Sequence, residues 1–371
     1  MQPEREVAKI PLASASWVLM YGVEDSPLVA IAAEIRRKRP GLRVFGATSF
    51  QGVFAPPGFG RGVGMLLAEE SDDIRVATSL KTCGASDAVF HAARAAKEVV
   101  SKLVQRPDAL LLHATPGFEE RILDGIREAL GTEVPVYGGS AADDHIAGKW
   151  RVLADGESTG QGFLLVGIIA SKRVRGSFLS GYLPSDHAGV VTRANGRTLH
   201  EIDGQPAAVV YNSWTGGAIA SEVERGGNIL LKTNLLPLAR DIGGAEGLPR
   251  RLLSHPHEVG RARSLNLFSE FATGDHITLM TGAVEPLITR VRRSLQRAKG
   301  TLRDTPRGAL LIYCGGSLGV ILDQADRISA EVRNAVGDVP FLGIATFGEQ
   351  GCFFEKSESR HGNLMCSAMV F

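Results

Sequence analysis

One stretch of local grammar occurs twice in this chain, and that constrains the fold more than any other feature. ALLLHATPG (109–117), an amphipathic helix and GTEVPVYGGSAADD (131–144) align unit for unit with GALLIYCGGS (308–317), a helix and VGDVPFLGIATFGE (336–349). Each unit reads as buried strand, glycine turn, helix, then a Val-Pro-x-x-Gly strand-to-turn. RVFGATSF (43–50) is a weaker third copy of the last element. Self-similarity over so long a unit points to two halves of similar build rather than a solenoid. Strands alternating with helices make the class α/β. Hairpin signals such as Asn195-Gly196 argue for mixed sheets, with an α/β/β/α layering as one arrangement. The expectation is two pseudo-repeated α/β domains: an extension over 1–25, a first domain over 26–222 and a second over 223–371.

Smaller signals fill in the outline. Ser26-Pro27 reads as a helix start, with Leu28, Ile31, Ala32 and Ile35 on one face. Met65–Leu67 and Ile74–Leu80 read as strands joined by a polar turn over 69–73. Ser86 is placed as the cap of a helix burying Phe90, Ala93, Val100 and Leu103. Gly58, Gly60, Gly62 and Gly64 follow Pro56-Pro57 and form a loop or hairpin, not a phosphate-binding GxGxxG.

Composition narrows the function classes. The 371 residues carry 41 Lys and Arg against 40 Asp and Glu, so no basic field points to nucleic acid. The longest apolar run, Phe163–Ala170, is too short to span a bilayer, and the charged start carries no leader pattern. Cys83, Cys314, Cys352 and Cys366 show no paired spacing, which suits free thiols in a reducing cytoplasm.

Candidate site residues gather at the glycine turns. Cys314-Gly315-Gly316-Ser317 ends a strand and starts a helix, where free N–H groups and the dipole favour an anion when a cleft is present. Gly138-Gly139-Ser140 precedes the pair Asp143-Asp144, which either accepts a ligand ammonium or closes an Asx-type turn. Thr346, Gly348 and Glu349, with His361 and Asn363 downstream, form the densest polar group near the C-terminus. Cys314 is also where a cysteine nucleophile would sit, although neither His113 nor His361 is placed beside it by sequence. His255-Pro256-His257 lacks further ligands at metal spacing, so no metal is expected. The basic run Arg290, Arg292, Arg293, Arg297 and Lys299 is a solvated helix face or a docking face.

The order and spacing of VFGATSFQGVF (44–54), VPVYGGSAADD (134–144), VTRANGRTLHEIDGQPAAVVY (191–211), RLLSHPHEVGRARSLNLFSEFATGDHITLMTG (251–282), GALLIYCGGS (308–317), FLGIATFGEQG (341–351) and HGNLM (361–365) resemble the FIST sensory proteins over nearly the whole chain. That resemblance implies N- and C-terminal FIST domains, an intracellular module binding small ligands, amino acids being the proposed class, and work beside kinases or cyclic-nucleotide enzymes. It makes the Gly348-Glu349 and His361-Gly362-Asn363 pair a signature. Ala47 stands where the family usually has Cys, so any role of that Cys is lost. Some similar proteins bind haem and sense nitric oxide; here a non-covalent haem would need His113, His145 or His361. No output segment is recognised, so a partner protein in trans is expected.

The reading is therefore a cytoplasmic, non-enzymatic sensor for a small amino-acid-like molecule, or another small anion or zwitterion, with no cofactor required. A haem-based nitric-oxide sensor and an enzyme using Cys314 are the alternatives.

Overall fold

Three strand–helix–strand crossovers organise the chain in the computed structural model, which describes residues 7–8, 10–69, 73–171, 173–243, 250–302, 305–354 and 357–371. The first joins Ala15–Gly22 to the parallel strand Arg43–Thr48 through helix Leu28–Lys38. The second joins Ala109–Ala114 to Val136–Gly139 through helix Glu119–Leu130. The third joins Ala309–Cys314 to Phe341–Thr346 through helices Gly315–Val320 and Asp326–Val336. The weak third copy in the sequence is thus a complete structural unit.

The units share strands in a cycle. Each first strand has an antiparallel neighbour: Val63–Glu69, Gly162–Ile169 and Met365–Val370, respectively. Each second strand is bordered by a hairpin that follows a different unit. The hairpin after the first unit, beginning with Val53–Ala55, pairs with the third. That after the second, beginning with Val152–Ala154, pairs with the first. That after the third, beginning with Glu349–Gly351, pairs with the second. The fold is α/β with mixed sheets, as expected.

Strand alternation builds the core. Side chains at i and i+2 share a face, so Trp17, Leu19 and Tyr21, Leu111, and Leu310 and Ile312 meet in one central cluster. Val18 and Met20 turn to their own unit's helix, as do Leu110 and Leu112, and Leu311 and Tyr313.

Residues 183–282 are threaded into the third unit between strand Arg175–Ser180 and helix Val284–Gly300. They form a separate antiparallel layer with its own core around Val191, Leu199, Tyr211, Leu265 and Ile277. The Asn195-Gly196 turn is a hairpin, with Asn195 opposite Thr198. Among the described residues no helix is long and apolar enough to cross a membrane.

Several expectations change. The 1–25 stretch holds Ala15–Gly22, which is an interior strand of a five-stranded sheet rather than an extension. The 222–223 boundary falls inside helix Ala220–Arg225. Strands Val63–Glu69 and Arg75–Thr82 belong to different sheets, and residues 70–72 of the turn between them lie outside the described residues. Phe90 is 59% exposed. Its helix, Ala88–Leu103, buries Leu103 as expected, but with Ala88, Ala92, Ala95, Ala96 and Val99 in place of Phe90, Ala93 and Val100. The reason is close packing: a Cβ on Gly125 of helix Glu119–Leu130 would lie 2.2 Å from the Val89 carbonyl and 2.8 Å from Ala92 Cβ. Only an alanine face fits there, and Phe90 is left outside under the Arg94 guanidinium. Neither Ser26 nor Ser86 caps its helix: Pro27 and Asp87 hold the cap positions without a side-chain cap bond, and Ser26 Oγ donates to the Gly62 carbonyl.

Candidate functional site

All three units open their strand carboxyl ends onto one cavity of about 550 Å³, the place where α/β sheets bind ligands. Its floor is Cys314, Gly315, Gly316, Thr346, Phe347 and Gly348 from the third unit. Phe50 enters from the first, and Pro116, Gly117, Glu119, Asp144, Ile146 and Trp150 from the second. The inserted layer supplies the roof: Arg197, Leu231, Asn234, His255 and Phe268.

The expected site residues divide between wall and support. Asp144, Cys314, Gly315, Gly316, Thr346, Gly348 and Asn363 line the cavity. Asp144 accepts hydrogen bonds from the Gln51 N–H and Arg61 Nη1, both at 2.7 Å. Gly348 has φ +114°, and a Cβ there would lie 2.4 Å from His361 Cε1, so this corner of the floor requires glycine. Asn363 is 3% exposed, and its Oδ1 has no hydrogen-bond partner. Asn234 Oδ1 in the roof is likewise unpaired.

Gly138, Gly139, Ser140, Asp143, Ser317, Glu349 and His361 stand behind the wall. Gly138 and Gly139 lie in a strand paired with Gln350 and Glu349. Ser140 Oγ donates to Glu119 Oε1 at 2.6 Å. Asp143 forms the Asx-type turn, its carboxylate accepting the N–H groups of His145, Ala147 and Lys149. Ser317 Oγ is buried 3.4 Å from the Tyr182 hydroxyl. Glu349 accepts from Thr346 Oγ1 at 2.8 Å and from the Met365 N–H at 2.9 Å. Burial outweighs these bonds and raises its carboxyl to about 8, so it is protonated at neutral pH. His361 accepts from Gln350 Nε2 at Nδ1 and donates from Nε2 to the Phe268 carbonyl.

The electrostatic centre was not expected from sequence. Glu119 is 1% exposed, and Arg197 Nη2 lies 2.6 Å from it and 2.5 Å from Glu120. Burial pushes the Glu119 carboxyl up, but Arg197, His361 and Ser140 outweigh it and hold it at about 2. The two-residue turn explains the geometry, since it sets Arg197 at a hairpin tip facing the start of helix Glu119–Leu130. Glu119, Glu120 and His361 are spaced as metal ligands, the one such group among the described residues, but the guanidinium already occupies the carboxylates.

The alternative chemistries find little support here. The Cys314 thiol is pushed up by burial and by Glu349 beside it, the opposite of an activated nucleophile. For haem, two of the three named histidines are already engaged. His113 is sealed in the core, donating from Nδ1 to the Gly139 carbonyl and accepting from the Tyr21 hydroxyl, and burial lowers it to about 4. His361 has both ring nitrogens engaged, while His145 is an exposed loop residue that lines the cavity. His255 is buried, lowered to about 3 and bonded to Thr233 Oγ1; His257 stacks on Phe268 at 4.2 Å.

Residues 16–205 match the model of the FIST N domain, and residues 207–352 match that of the FIST C domain. The chain belongs to the FIST family. The cavity therefore has walls from both FIST segments, and the boundary between them falls within the inserted layer. An uncharacterized protein of Methanocaldococcus jannaschii is 35% identical over 96 residues, or 25% of this FIST chain. The aligned stretch spans only 18% of that relative's length. Membership is consistent with a sensory domain.

Proposed function

We propose that this protein is a cytoplasmic sensor that binds a small amino-acid-like molecule in the cavity and passes its state to a separate signalling protein, such as a kinase or cyclic-nucleotide enzyme. The observation that carries this reading is Asn363: a residue 3% exposed on the cavity wall whose side-chain amide makes no hydrogen bond among the described residues, leaving it for a ligand to engage. The wall's shape supports it, because ligand pockets of this kind are mostly apolar with few polar groups to orient the guest. A ligand touching the strand ends below and the inserted layer above would favour the arrangement in which both reach it, and a signal requires such differential affinity. Thermal shift against amino acids, amines, carboxylates and phosphates tests the proposal. Stabilisation by at least one compound at millimolar concentration, lost in Asn363→Leu, is expected; no stabilisation by any compound refutes it.

A further inference from the structure

We propose that the cavity reads an uncharged carbonyl oxygen on its ligand, so that a carboxamide is bound in preference to the matching carboxylate or amine. This rests on the cavity being the ligand site, and adds which group on the molecule is recognised.

The open hydrogen-bonding capacity of the two wall asparagines is of one kind. The Oδ1 atoms of Asn363 and Asn234 are sealed from the cavity, while the Nδ2 atoms of the same amides are open to it and make no hydrogen bond among the described residues. Two floor glycines border these amides. Asn234 Oδ1 lies against Gly316, where a Cβ would come within 3.3 Å of it. Asn363 Nδ2 borders Gly348, and the absent Cβ, which would lie 3.2 Å away, leaves it uncovered. An amide NH2 offers donors only. The third unit and the inserted layer each present one.

Carboxylate acceptors on the wall, by contrast, are taken. Glu119 Oε1 accepts from Ser140 Oγ, and its Oε2 from the Gly117 N–H and Arg197. Asp144 Oδ1 accepts from the Gln51 N–H and Oδ2 from Arg61. The ligand therefore has to bring the acceptor.

Charge decides which acceptor. Arg197 is the one Lys or Arg among the described lining residues, and through Nη2 it already holds Glu119 and Glu120. No unpaired guanidinium or ammonium is left on that wall to compensate a carboxylate, and burying an uncompensated charge costs far more than burying a neutral carbonyl that finds N–H donors. The surroundings sharpen that penalty: Phe50 and Trp150 pack on Phe347, with ring centroids 5.8 and 6.3 Å apart, and all three line the cavity. The helix Gly315–Val320 has only six residues, so little dipole stands behind the Gly315-Gly316 amides, where sequence led us to expect an anion.

Calorimetry on the full chain at neutral pH with matched probes decides the point. One series is 3-phenylpropionamide, 3-phenylpropionate and 2-phenylethylamine; the other is 4-methylpentanamide, 4-methylpentanoate and 3-methylbutylamine. In each, the carboxamide should bind tightest and the other two should be weaker by about tenfold or more, the worth of one hydrogen bond. Asn363→Asp keeps the size but puts an acceptor where the donor was. It should weaken the carboxamide about tenfold and favour the amine relative to it. Asn234→Asp, at a less buried position, should shift the same ratio the same way, and carries the test alone where a melt shows Asn363→Asp unfolded. A carboxylate or amine binding as tightly as its carboxamide, neither carboxamide binding at millimolar concentration, or a carboxamide-to-amine ratio unchanged in the folded variants would each overturn the inference. The cavity reading fails separately, when the wider panel also gives no binding.

Discussion

Removing the Arg197 guanidinium should be among the most damaging single changes in this molecule. In Arg197→Met the Glu119 carboxylate, 1% exposed, loses the charge 2.6 Å from it, and Glu120 loses the same partner. Glu119 is held at about 2 in the folded chain, against about 4.3 for an unperturbed Glu, and each unit is worth about 1.4 kcal/mol, giving about 3 kcal/mol at neutral pH. Breaking a buried pair by removing one partner typically costs about 3–5 kcal/mol, which agrees. For 371 residues unfolding together, an entropy of about 2.1 cal/mol/K per residue converts that loss into a Tm decrease of roughly 4 °C. The sign with pH is fixed: a carboxyl whose folded pKa is depressed stabilises above its unfolded value and loses that contribution as pH falls toward the folded one. The gap between wild type and Arg197→Met should therefore be widest at pH 7 and narrow between about pH 4 and pH 2. Urea midpoints at pH 7 and pH 3, with Glu119→Gln and the double variant to complete a cycle, measure it. A loss below about 1 kcal/mol at pH 7, a gap that does not shrink in acid, or a double variant no more stable than Arg197→Met would refute the reasoning.

Glu349 should behave in the opposite sense. Its raised carboxyl means stability is fully present below about pH 4.3 and declines as pH rises toward 8, then levels; Glu349→Gln should remove that slope, as paired melts at pH 5 and pH 8 would show. Cys314 should react with iodoacetamide at neutral pH more slowly than free cysteine, by mass spectrometry of the labelled peptide, because burial disfavours its thiolate. Gly125→Val should cost roughly 1–3 kcal/mol or more through overpacking against Val89 and Ala92, whereas Phe90→Ser at the exposed face should stay within about 0.5 kcal/mol; denaturant titration separates the two.

The elements legible in the sequence were those whose side-chain period and turn chemistry decide their own structure. Ala109–Ala114 and Ala309–Cys314 are continuous apolar runs closed by glycine turns, and both are strands buried along their length. What local pattern cannot carry is partnership. Nothing in Val53–Ala55 says that it will border Phe341–Thr346, some 290 residues on. The helix phase around Phe90 failed for a similar reason: hydrophobicity alone favours burying a phenylalanine, and the tight crossing at Gly125 decides otherwise. At the site, the glycine turns were visible because backbone constraint leaves a residue signature. The roof was not, because Arg197, Asn234 and Phe268 are ordinary residues that matter only once the inserted layer folds over the strand ends. One signal was available: Glu119-Glu120 beside Phe118 at a helix start, and an arginine at the tip of a two-residue hairpin, are charges in search of a partner.

Strand exchange around the ring has a consequence for synthesis. The first unit waits for a border that is translated about a hundred residues later, and the third takes its border from a segment made some 290 residues earlier. Met365–Val370, translated after both of its neighbours, must slot between Arg175–Ser180 and Ala309–Cys314. Neither FIST segment expressed by itself would own a closed set of sheets. The sheets close only once Met365–Val370 has been made, and a nascent chain short of it would present raw edges to the chaperones that greet it.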